Sequence, residues 1–144
     1  MMSLMTFLRS AETLSGLLRW FRWPRRRPLS ILIVEDDIND AELTRRSLEQ
    51  LGCRVDWQNT AEGALALLDK NGYQFCLIDL KLPMMSGIQL ITTLLDARPY
   101  VHLVAVTGSM SFFEQLPAGK YMGLILKPVT KEALSRMISS HRQK

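Results

Sequence analysis

The chain has 144 residues, 47% hydrophobic and 22% charged, which fits one soluble globular domain with an arm and excludes a disordered or membrane-embedded class. Two cysteines, Cys53 and Cys76, exclude a disulfide framework and read as reduced thiols. The net charge of +4 is uneven: six arginines against Glu12 give residues 1–28 a charge of +5, so the remainder carries −1. The basic excess belongs to the arm and gives no support to a nucleic-acid-binding domain.

Residues 1–28 place Leu4, Phe7, Leu8, Ala11, Leu14, Leu18 and Phe21 at helical spacing, followed by Trp20, Trp23 and Arg25–Arg27. Pro24 and Pro28 stop any helix. Arg9, Glu12 and Arg19 interrupt the apolar stretch, which rules out a membrane span. The charge follows the apolar stretch, where a secretory signal would carry it in front. Three readings of this basic amphipathic extension stand: an interfacial helix touching a membrane surface, a docking helix for a protein, or no function of its own, as a poorly ordered extension or a start codon assigned too far upstream.

The domain is expected over 29–144. Ser30–Val34 is a short β-branched run that reads as a buried strand ending in Glu35-Asp36-Asp37. Asn39 with Glu42 predicts a capping box for a helix with Ala41, Leu43, Leu48 and Leu51 on its apolar face, stopped at Gly52. Arg54–Trp57 is a weaker strand, and Thr60 opens a helix that ends near Asn71-Gly72. Tyr73–Asp79 is a third strand, apolar up to its terminal carboxylate. Ser86-Gly87 opens a helix through Ile88, Leu90, Ile91, Leu94 and Leu95, stopped at Pro99. Val101–Thr107 is a fourth strand, and Gly108–Gly119 gives a weak helix broken by Pro117. Leu124–Leu126 is a fifth strand running into Lys127-Pro128, and Thr130 caps a last helix with Ala133, Leu134, Met137 and Ile138.

This alternation predicts an α/β fold, a (βα)5 doubly wound five-stranded parallel sheet with helices on both faces. There is no Gly-rich phosphate loop and no Cys or His pairing suited to zinc. His102 and His141 read as structural or solvated.

In a parallel sheet the carboxyl ends of the strands share one edge. That brings Glu35-Asp36-Asp37, Asp79, Thr107 and Lys127 into one crevice. Crowded carboxylates raise one another's pKa or demand a cation, and hard oxygen ligands favour Mg²⁺. An Asp beside a metal and a lysine can accept a phosphoryl group, with Thr107 supplying a hydroxyl.

Residues 29–144 resemble a response-regulator receiver domain of two-component phosphorelay signalling, the family that includes the chemotaxis regulator CheY. The resemblance rests on Ile33-Val34-Glu35-Asp36-Asp37, Asp79–Gly87, Val106-Thr107-Gly108 and Leu126-Lys127-Pro128 taken together. It implies Asp79 as phosphoacceptor, Lys127 and Thr107 as phosphate-binding catalytic groups, and a metal site of Asp36, Asp37, Asp79 and the backbone carbonyl of Lys81. It also implies the flavodoxin-like strand order 2-1-3-4-5, Mg²⁺, a histidine kinase or histidine phosphotransfer protein as donor, and a protein partner downstream that the sequence does not name. The family often tunes phosphate lifetime at the positions of Lys81 and Ser109.

Departures from the family pattern are legible too. The aromatic residue usual three positions before the lysine is Leu124, which leaves its coupling to Thr107 open. The segment after Gly108 is short, and neither a DNA-binding nor an enzymatic output domain fits the chain. The expectation is a stand-alone, cytoplasmic receiver, peripheral to the inner membrane face if the arm binds lipid. It is expected to catalyse only its own phosphorylation and dephosphorylation. A non-switching interaction module is the alternative. A phosphatase acting on external substrates would want an acid/base Asp two residues after the nucleophile, where Lys81 stands.

Overall fold

The structure is a computed structural model and describes residues 27–98, 100–116 and 123–143. Five strands form one sheet in the order β2-β1-β3-β4-β5: β1 (Ser30–Val34), β2 (Arg54–Gln58), β3 (Phe75–Asp79), β4 (His102–Thr107) and β5 (Gly123–Leu126). All four pairings are parallel. The helices between and after them are α1 (Ile38–Gln50), α2 (Ala61–Lys70), α3 (Gly87–Ala97), α4 (Met110–Phe113) and α5 (Lys131–Arg142). The expected topology is therefore the observed one. Residues 1–26, which hold most of the expected arm helix, lie outside the described residues, as do Pro99 and Pro117.

Side chains alternate along the strands, so β1, β3 and β4 each feed two cores. Leu32, Val34, Cys76, Ile78 and Ala105 meet Ala64, Leu68, Leu90 and Leu94 of α2 and α3 on one face. Ile31, Ile33, Phe75, Leu77 and Val106 meet Leu48 of α1 and Leu134 and Ile138 of α5 on the other. Strand β3 is buried at all five positions because both faces are covered. Both cysteines are buried and free, and burial pushes both thiols above their ordinary range. At the amino-terminal end of β4, the rings of His102 and His141 stack edge-on at 4.7 Å against Phe75.

Two local expectations are corrected. Helix α1 is capped by Asp37 rather than Asn39: the Asp37 carboxylate accepts from the Asn39 and Asp40 amides at 2.8 and 3.0 Å. Ala41, Thr44 and Leu48 face inward, and Leu43, roughly 200° round the helix from Ala41 at about 100° per residue, is 65% exposed rather than on the apolar face. Helix α4 is a single turn of four residues, in keeping with the weak signal in its sequence.

The other caps fall as expected. Thr60 and Thr130 accept from the third amides of α2 and α5, and Ser86 with Gln89 closes a capping box at α3. Gly87 follows that cap because α3 begins hard against the end of β3. A Cβ at Gly87 would fall on the Asp79 carbonyl oxygen and within 2.7 Å of Leu80 Cα, both backbone. Gly87→Ala should therefore cost about 1–3 kcal/mol of stability by overpacking. Gly72→Ala, with nothing within 4 Å of the new Cβ, should be near neutral. Urea denaturation of both variants checks this, and equal midpoints would contradict it.

Candidate functional site

Strand register places the site. Val34 pairs with Ile78, so Glu35 comes level with Asp79; Asp79 pairs with Val106, and Thr107 pairs with Leu126, just before Lys127. The ladder continues past the strand ends. The Glu35 amide donates to Gln58, the Leu80 amide to Val106, and the Lys127 amide to Thr107.

Asp79 is 5% exposed, and so is Glu35. A carboxylate buried that deeply is costly unless paired. Lys127 Nζ lies 2.9 Å from Asp79 Oδ2 and 2.9 Å from Glu35 Oε2, and 3.3 Å from Asp40 Oδ2. The remaining oxygens are also engaged. Asp79 Oδ1 accepts from the Lys81 amide at 2.9 Å, and Glu35 Oε1 accepts from the Asp37 amide at 3.1 Å. The Trp57 indole N–H donates to the Glu35 carbonyl at 2.8 Å, which ties β2 to this edge.

Carboxylate oxygens of Glu35, Asp36 and Asp79 lie within 4.8 Å of one another. Asp36 is exposed, so this cluster opens to solvent. Three hard oxygens in mutual reach fit a small divalent cation. Asp37, expected among the metal carboxylates, is instead turned to the amides of α1 as its cap, and Glu35 takes its place in the cluster. The physical reason is competition: the first amides of a helix need an acceptor, and Asp37 stands at the position that reaches them.

Thr107 is 2% exposed, and its hydroxyl exchanges hydrogen bonds at 3.1 Å with the amide and carbonyl of Ser109. Lys81 is exposed and meets Asp79 through its backbone amide. Met84, in the loop between Asp79 and α3, has φ 62° and is 88% exposed, a left-handed residue at the rim of the site. Beside the ion pairs a cavity of about 330 Å³ reaches between α1 and the turn after β5, walled by Leu43, Thr44, Pro128 and Val129.

The electrostatics follow from burial. Desolvation pushes the Glu35 carboxyl up to about 7, against the pull of Lys127 and the Asp37 amide. Burial also works against the Lys127 ammonium, but hydrogen bonds and charge from Asp79 and Glu35 together outweigh it and hold it above its ordinary value. The site thus gathers a fixed cation, buried and open carboxylates, and a sheltered hydroxyl on one edge.

The model of the response regulator receiver domain matches residues 31–139. The chain belongs to that family. A CheY-like receiver domain from Methylobacillus flagellatus is 30% identical with a TM-score of 0.73, covering 78% of this chain and 98% of that one. Among curated proteins, the aerobic respiration control sensor protein ArcB of Escherichia coli is 32% identical over 114 residues, and transcription factor SKN7 of Chaetomium thermophilum is 26% identical over 123 residues. These alignments take in 76% and 83% of this chain but only 15% and 16% of those proteins. Receivers of this family thus occur inside a sensor protein and a transcription factor, each much longer than this chain. This receiver is a module of two-component signalling, with no described helix long and apolar enough to cross a membrane.

Sequence reasoning placed Glu35 in the crevice without a separate role and gave none to Asp40 or Trp57. An acid in the first turn of a helix is ordinary, since it suits the helix dipole, so Asp40 carried no distinguishing signal.

The raised Glu35 carboxyl has a measurable consequence. Its folded value is near 7 and its ordinary value 4.5, so between them the folded state holds a proton that the unfolded state has lost. Stability from this group is therefore fully present below about 4.5 and lost as pH rises through about 7. In metal-free buffer Glu35→Gln should flatten this part of the profile, so the variant gains on the wild type from pH 5 to pH 8. Parallel melting-temperature profiles would contradict the assignment.

Proposed function

We propose that this receiver accepts a phosphoryl group on Asp79 from a histidine kinase or histidine phosphotransfer protein in a Mg²⁺-dependent reaction, and signals by phosphorylation-dependent binding of a protein partner. The observation that carries the reading is the buried Asp79 carboxylate held by Lys127 at 2.9 Å beside the open cluster with Glu35 and Asp36.

In the transfer, an Asp79 oxygen attacks phosphorus and the phosphorus–nitrogen bond of phosphohistidine breaks. The imidazole leaves with the bonding pair and takes up a proton, and an acyl phosphate remains on Asp79. Glu35, Asp36, Asp79 and the Lys81 carbonyl are the groups that would hold magnesium, which when bound supplies a Lewis acid at the transferring oxygens. Lys127 donates to the phosphoryl oxygens as charge builds there, and Thr107, freed from Ser109, offers its hydroxyl. The chain's own chemistry is confined to loading and hydrolysing this one phosphate. The phosphoryl group then favours one of two conformations that a partner distinguishes. A donor of this class implies the cytoplasm, and the basic arm 1–28 would add contact with the inner membrane face.

A second reading keeps the acidic site without the switch. It is favoured by Leu124 on β5, opposite Ala105, where the family usually has an aromatic residue, and by the single turn of α4. Under it, phosphorylation changes neither partner affinity nor oligomeric state.

Intact mass after incubation with acetyl phosphate and Mg²⁺ tests the acceptor. The wild type should gain a labile mass of about 80 Da, one phosphoryl group at an aspartyl nucleophile. Asp79→Asn should gain none. No addition to a folded, Mg²⁺-loaded wild type from either acetyl phosphate or a kinase donor would overturn the proposal.

A further inference from the structure

We propose that Asp40 is a positioning residue that holds Lys127 toward α1 and competes with an incoming phosphoryl group for its ammonium. This rests on the reading of Asp79 as phosphoacceptor and assigns a regulator of that same site.

An ammonium has three donors and no acceptor. Lys127 Nζ is in ion-pair contact with three carboxylates, Glu35 and Asp79 at 2.9 Å and Asp40 at 3.3 Å, as many as it has donors, before any phosphate arrives. A phosphoryl oxygen on Asp79 needs one of them, and one carboxylate must yield. The three are not equivalent. The side chains of Glu35 and Asp79 are 6% and 7% exposed, and releasing either leaves a buried carboxylate without its cation. The Asp40 side chain is 51% exposed, so water replaces the lysine at little cost. Asp40 is also the longest of the three contacts.

The placement of Asp40 is fixed by the cap of α1. Its amide donates to the Asp37 carboxylate at 3.0 Å, and the next amide, that of Ala41, donates to the Asp37 carbonyl at 3.0 Å. The chain of positioning runs from Asp37 through the first helical turn to Asp40 and on to Lys127. Asp37 thus acts on the site through the cap of α1. Asp40 also adds a negative charge within one ammonium of the place a phosphoryl dianion must occupy. The two effects have the same sign: Asp40 opposes loading.

Beryllofluoride, a phosphoryl mimic, gives the readout. Its affinity is measured on the full chain by titration calorimetry at saturating Mg²⁺, for wild type, Asp40→Asn and Asp40→Glu. Asp40→Asn should bind about 3–10-fold tighter at low ionic strength, the size expected for removing one partly solvated charge. The gain should shrink below about twofold at 0.5 M KCl, because an exposed charge is screened. Asp40→Glu, which restores the charge, should return toward the wild-type value. A purely structural role would show no such salt dependence. Unchanged or weaker binding by Asp40→Asn overturns the inference. If the folded wild type binds no beryllofluoride, the phosphoacceptor reading falls separately, and acylation of the Lys127 amine by acetic anhydride decides the role of Asp40. Faster Lys127 labelling in Asp40→Asn supports the hold on the lysine, and equal labelling overturns it.

Discussion

A carboxylate at the end of a strand that is apolar on both faces must find a cation or stay protonated, and the rest of this structure is arranged around how Asp79 finds one. Lys127 meets it from two strands away at 2.9 Å. The contact depends on the register of β3 with β4 and of β4 with β5, because a one-residue slip in either would carry Asp79 or Lys127 to the opposite face of the sheet. Two hydrophobic cores fix that register by alternation, one on each face. Packing therefore does more than stabilise the fold. It brings a buried acid and a partly buried amine into contact from positions 48 residues apart.

The same edge is closed by short-range devices. The loop from Asp79 returns at Gly87, where a side chain would strike the backbone of Asp79 and Leu80. The Lys81 amide turns back onto Asp79 Oδ1, and the Asp37 amide onto Glu35 Oε1. Each buried carboxylate thus has one oxygen on a backbone amide and the other on Lys127. Such an arrangement holds two acids beside each other while leaving Asp36 open to solvent. That asymmetry suits a site whose inner wall is permanent and whose outer ligands come and go.

Much of this was legible in the residues. The apolar runs ending in Glu35, Asp79, Thr107 and Lys127 specified strands with chemistry at one edge, and alternation with helical stretches specified a parallel sheet. The caps at Thr60, Ser86 and Thr130 were readable because a hydroxyl preceded each apolar stripe. The start of α1 was harder. Asp36, Asp37 and Asn39 all suit a cap or a ligand, and only the backbone geometry assigns Asp37 to the cap and leaves Glu35 to join Asp36 and Asp79. The exposure of Leu43 has a different origin: at about 100° per residue it lies roughly 200° round the helix from Ala41, off the stripe that Thr44 and Leu48 continue. The contact of Asp40 with Lys127 spans 87 residues and has no local signature at all.

The central claim is that Asp79 and Lys127 depend on each other. A double-mutant cycle of Asp79→Asn and Lys127→Met, followed by urea denaturation in metal-free buffer at pH 7, measures this directly. The account predicts that Lys127→Met alone is strongly destabilising, because it strands buried carboxylates, and that adding Asp79→Asn recovers part of the loss. The coupling energy should be about 1–3 kcal/mol. Single effects that add to within about 0.5 kcal/mol would contradict it.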